Sequence, residues 1–72
     1  MRKVILKFNG YEAEVSNDLL SQDVFDIDFS GRMMVEFTRG VDGILKPSNA
    51  MDEGGNNCYS EVKDKDVKIK EL

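Results

Sequence analysis

Histidine and tryptophan are absent from this 72-residue chain, and cysteine and proline occur once each. Each gap excludes something. Without histidine the chain lacks the commonest zinc and copper ligand and the usual general base near neutral pH. Cys58 stands alone, so no intramolecular disulfide can form, and a free thiol fits a reducing compartment. The run Val4-Ile5-Leu6 is interrupted by Lys7 and no cleavage-site pattern follows, so no signal peptide is expected. No apolar stretch approaches the ~20 residues of a membrane helix. The expected location is cytoplasmic, with no membrane association.

A chain of this length forms one domain, 1–72, and buries only about 60% of its unfolded surface. With disulfide and histidine-metal support excluded, the support left open for so small a core is a second copy or a larger protein. Charge is segregated along the chain. Arg2, Lys3 and Lys7 lie within residues 1–8 without an acid. Glu12, Glu14, Asp18, Asp23, Asp26 and Asp28 lie within residues 12–31 without a base, a local charge of -6 in a chain of net charge -4. An acidic surface disfavours direct contact with a phosphate backbone, which needs clustered Lys and Arg.

The apolar pattern has period two. Val4, Leu6 and Phe8 alternate with Lys3, Ile5 and Lys7, and Tyr11, Ala13 and Val15 alternate with Glu12, Glu14 and Ser16. Between them stands Asn9-Gly10, the strongest short hairpin signal, because both central residues of a type I′ turn take positive φ. The two-residue loop pairs Phe8 with Tyr11, Leu6 with Ala13 and Val4 with Val15, and sets Lys7 against Glu12. Residues 16–21 break the alternation, as either one helical turn capped by Ser16 or Asn17 or an irregular crossover. Alternation returns at Asp23–Phe29. Asp28-Phe29-Ser30-Gly31 suits a type I turn with a glycine bulge, pairing Asp28 with Arg32, Ile27 with Met33 and Phe25 with Val35. A strand from Arg32 to Thr38, a glycine turn at 40–43, a short strand Ile44–Lys46 ended by Pro47, and a loop over 48–57 follow. A last hairpin turning at Asp64-Lys65 would pair Lys63 with Asp66, Val62 with Val67 and Glu61 with Lys68.

These pieces make an all-β fold, with or without one short helical turn at residues 16–21. Five or six antiparallel strands form a curled sheet or barrel of the SH3 or oligonucleotide-binding type, which hides its edges. The alternative is a β-grasp fold, which needs a long helix where residues 17–31 carry no helical stripe.

Chemical signatures are few. Asp26 and Asp28 project from one strand face roughly 7 Å apart, a spacing open to an acid–base pair. Alternation with Phe25 and Ile27 accounts for them without that chemistry, and Arg32 gives Asp28 a partner. Asp42, Asp52, Glu53, Asn56 and Asn57 do not follow the EF-hand spacing. Neither Gly40–Gly43 nor Gly54-Gly55 follows a phosphate-binding pattern. Cys58 has no activating histidine and reads as a buried structural thiol. No catalytic residue, metal site or cofactor is expected.

Ile5, Met34 and Tyr59 are apolar residues on the expected solvent face and are the candidate partner-binding residues. Glu12, Glu14, Asp26 and Asp28 form the candidate acidic surface. The expected function is a non-enzymatic module that binds another protein, with self-association as a further expectation. The alternative is an acidic inhibitor whose carboxylates imitate a nucleic-acid backbone and block a basic nucleic-acid-handling protein.

Overall fold

A computed structural model describes residues 2–72. It is a small β-rich fold of two three-stranded antiparallel sheets. In chain order the elements are β1 (Lys3–Phe8), β2 (Tyr11–Ser16), α1 (Asn17–Leu20), β3 (Val24–Asp28), β4 (Met33–Arg39), β5 (Leu45–Asp52), α2 (Tyr59–Val62) and β6 (Val67–Glu71). The first sheet has the order β2-β1-β6 and the second β3-β4-β5. Among the described residues no ladder joins them, so the expected barrel does not close. Neither helix exceeds four residues, which leaves no long helix of the kind a β-grasp fold requires.

The first hairpin forms in the expected register, with Phe8 opposite Tyr11, Leu6 opposite Ala13 and Val4 opposite Val15. Asn9 and Gly10 both have positive φ, 51° and 83°, as a type I′ turn demands. Ser16 caps α1 by accepting a hydrogen bond from the Asp18 amide at 3.1 Å, so the break in alternation is a helical turn. That turn buries Leu20 at the end of the first sheet.

The second hairpin differs from the expected register by two residues: Phe25 faces Phe37, Ile27 faces Val35 and Asp28 faces Met34. Its turn is centred on Ser30 and Gly31, both at positive φ (57° and 75°). The Phe29 carbonyl accepts from the Arg32 amide at 3.0 Å, while the Phe29 amide donates to the Met33 carbonyl at 2.8 Å. Arg32 is therefore an extra residue opposite Phe29. A shift of two leaves every side chain on its original face, so the apolar pattern alone could not separate the two registers.

β5 runs on through Pro47 to Asp52, where a loop was expected. Pro47 is tolerated because β5 is an edge strand and the ladder shifts there, Phe37 facing Pro47 and Glu36 facing Asn49. The unpaired Ser48 takes up the shift. Its hydroxyl accepts from Thr38 Oγ1 at 2.8 Å and lies 2.7 Å from Glu36 Oε1, to which it donates.

The expected final hairpin does not form. Residues 59–62 make a helical turn, and β6 pairs with β1, setting Leu6 opposite Ile69 and Lys7 opposite Lys68. Asn57 Oδ1 accepts from the Tyr59 amide at 2.9 Å, which starts the turn, and the Cys58 amide donates to the Ala50 carbonyl at 3.0 Å, which docks it on β5. Cys58 and Val62, four residues apart, are both buried. That is helical spacing, and it outweighs the charge complementarity that suggested a hairpin.

The core lies between the two sheets. Val4, Leu6 and Phe8 of β1 face Phe25, Ile27, Val35 and Phe37 of β3 and β4, all buried. Phe8 meets Phe37 edge-on, ring centres 5.1 Å apart at 89°, and Phe29 lies within 6.4 Å of both rings. Arg39 ties the periphery together, donating through Nη2 to the Leu20 carbonyl and through Nη1 to the Gly43 carbonyl at 3.0 Å.

Two stability outcomes follow from this geometry. A Cβ at Gly10 would meet nothing within 4 Å, so Gly10→Ala has only its backbone conformation to resist it. Chemical denaturation of that variant will show a loss of about 1–2 kcal/mol. Arg39→Met keeps the stem but leaves two carbonyls without their charged donor, and will lose about 1.5–3 kcal/mol by the same measurement.

Candidate interaction surfaces

Alternation in two packed sheets leaves two outer faces, and the side chains on them are set by the registers. The first sheet presents Lys3, Ile5 and Lys7 from β1, Glu12 and Glu14 from β2, and Lys68 and Lys70 from β6. Lys3 Nζ lies 3.6 Å from Glu14 Oε1, and Lys7 Nζ 3.6 Å from Glu12 Oε2. Four lysines against two glutamates give this face a charge of +2. The second sheet presents Val24, Asp26 and Asp28 from β3, Met34, Glu36 and Thr38 from β4, and Lys46, Asn49 and Met51 from β5. Three carboxylates against one lysine give it -2.

The acidic stretch seen in the sequence is thus divided. Glu12 and Glu14 lie on the lysine-bearing face and are held in ion pairs, whereas Asp26 and Asp28 lie on the opposite face beside Glu36. The apolar candidates are divided as well. Ile5 sits half-buried in the middle of the first sheet's outer face, between Glu14 and Lys70. Met34 sits on the outer face of the second. Tyr59 is not on a strand at all; it opens α2 and is half-buried.

Two exposed apolar residues missed in the sequence share the face of Met34, one beside it and one at the far end. Met51 is its direct cross-strand partner and Val24 lies on the same face; the three are 50%, 46% and 52% exposed. Met51 was missed because it fell in a stretch expected to be a loop. Asp26, Glu36, Asn49 and the two methionines line a shallow cleft of about 220 Å³. Carboxylates therefore border an apolar pair at the turn end of a sheet face.

The remaining candidates serve the chain's own backbone. Asp52 Oδ1 accepts from the Gly54 and Asn56 amides at 3.0 and 2.9 Å, and Asp42 Oδ1 from the Ile44 amide at 3.1 Å. Among the described residues no charged side chain is buried, and no three potential metal-ligating side chains come together. No helix among them is long and apolar enough to cross a membrane. Comparison with protein-family models, with curated proteins and with solved structures gave no match.

Cys58 is buried against β5, and removal from water raises its thiol pKa above the ordinary 9.0, with the nearby charges of Asp52 and Glu61 acting in the same direction. The thiol is therefore protonated and shielded at neutral pH. A raised folded-state pKa favours the protonated native state. That contribution is complete below the unfolded thiol's pKa and is lost as pH rises through the folded value. Denaturation midpoints should thus fall more steeply above pH 9.0 in the native chain than in Cys58→Ala. Parallel curves would exclude Cys58 as the source.

Proposed function

We propose that the chain is a non-enzymatic interaction module that binds another protein through the outer face of the β3-β4-β5 sheet. One observation carries this reading: the exposed Met34–Met51 pair at the turn end of that face, with Asp28 opposite Met34 and Asp26 and Glu36 on the next rung. Methionine is flexible and polarizable, and an exposed pair is an adaptable apolar anchor. The carboxylates beside it select a partner with basic side chains next to an apolar anchor, and speed encounter with it. The acidic imitation of nucleic acid becomes, in this reading, a property of Asp26, Asp28 and Glu36 rather than of the whole stretch 12–31. The free, buried Cys58 favours action in a reducing compartment such as the cytoplasm.

The test is affinity capture from the source cell followed by titration of the captured partner. Met34→Lys with Met51→Lys should weaken binding at least about tenfold, as expected of an apolar anchor covered by the partner. Asp26→Asn with Asp28→Asn should slow association and flatten its salt dependence. Ile5→Lys, on the opposite face, should leave both unchanged. Binding that withstands the methionine substitutions removes this face as the site.

A further inference from the structure

β6 is an edge strand with a charge conflict. Among the described residues it pairs only with β1, so its outer row of amides and carbonyls has no ladder partner there. The register sets Lys68 directly opposite Lys7, and like charges in that position repel. Lys7 already pairs with Glu12, while neither Lys68 nor Lys70 has an ion pair among the described residues. On the inner face the strand is also incomplete: Ile69 shares the side of buried Leu6, yet is 49% exposed. Lysines outward, apolar groups inward and a free backbone edge together describe a strand that lacks an acidic neighbour.

The opposite edge of the same sheet has the complementary chemistry. β2 carries Glu12 and Glu14 outward and the half-buried Tyr11, Ala13 and Val15 inward, and its outer edge is also unpaired. Since β2 and β6 both run antiparallel to β1, they run parallel to each other. A second copy displaced sideways in the plane of the sheet therefore brings its β2 parallel to β6, with buried faces on the same side. Lys68 and Lys70 then lie beside Glu12 and Glu14 of the second copy, and Val67 and Ile69 beside its Tyr11 and Ala13. We propose that the chain self-associates head to tail by adding β2 of one copy to β6 of the next. Symmetric pairing is disfavoured at both edges, because β6 on β6 sets lysine near lysine and β2 on β2 sets glutamate near glutamate. The contact is heterologous, so assembly continues as a filament unless the twist of the sheet closes it into a ring.

Charge exchange tests this on the whole chain. Sedimentation velocity at low salt should show the wild type growing with concentration, and molar NaCl should reverse it. Lys68→Glu with Lys70→Glu makes both edges acidic, and Glu12→Lys with Glu14→Lys makes both basic, so each variant alone should stay monomeric. Their equimolar mixture should associate again. The acidic variant also removes the Lys7–Lys68 repulsion, so its melting temperature should not fall, which separates lost association from lost folding. If the basic variant fails to fold, Glu12→Gln with Glu14→Gln replaces it and should weaken association at least tenfold. A wild type that stays monomeric at low salt overturns the proposal. So does association undiminished in either variant, or a mixture of folded acidic and basic variants that stays monomeric. Substitution of Met34 and Met51 by Lys should leave the association intact, which keeps this interface distinct from the partner-binding face.

Discussion

The edge-on contact of Phe8 with Phe37 holds the protein together. Two three-stranded sheets meet there without sharing a strand, a disulfide or a long helix. A sheet of three strands has little stability until one face is covered, so each sheet supplies the other's missing face. Phe37 is fully buried, with Phe8, Phe25 and Phe29 arranged around it. Placing these rings at the centre takes all four phenylalanines off the surface. It also explains why everything distinctive about the surface lies on the two outward sheet faces and their edges.

How much of this was legible in the sequence depended on how local the deciding interaction was. The Asn9-Gly10 hairpin was fully legible because turn chemistry, apolar period and the Lys7–Glu12 pair all lie within fourteen residues of one another and agree. The face assignments of β3 and β4 were legible too. Their register was not, because registers two residues apart bury the same side chains, and the choice was made by the positive φ of Ser30 and the extra residue Arg32. β5 was hidden by Pro47, whose effect on a strand depends on whether that strand lies at an edge, which is a tertiary fact. Tyr59–Val62 was misread because surface charges at period two were weighed above the buried Cys58 and Val62 at helical spacing. The partition of acids between faces required the full topology, so the candidate site was legible only residue by residue, never as a surface.

That topology sorts a chain of mixed charge into surfaces of opposite sign. The sheet containing β1 and β6 carries +2 outward and the other carries -2. Strand order, not composition, produces this polarity: β6 returns to β1 instead of joining β5, and so carries Lys68 and Lys70 to the side already holding Lys3 and Lys7. In the expected order Lys68 would instead have faced Glu61 of the last hairpin and been cancelled there.

The return of β6 to β1 also shapes the order in which the molecule can be built. β1 pairs with β2 across two residues, but with β6 only after the whole β3-β4-β5 sheet has intervened between Phe8 and Val67. Closing so long a loop costs entropy before any contact repays it. Both hairpins can form early and locally, whereas the central strand of the first sheet keeps one bare edge until the last element arrives. The interval between those events is when an unpaired, apolar-faced β1 is open to other chains, so the speed of docking β6 governs how safely this fold assembles.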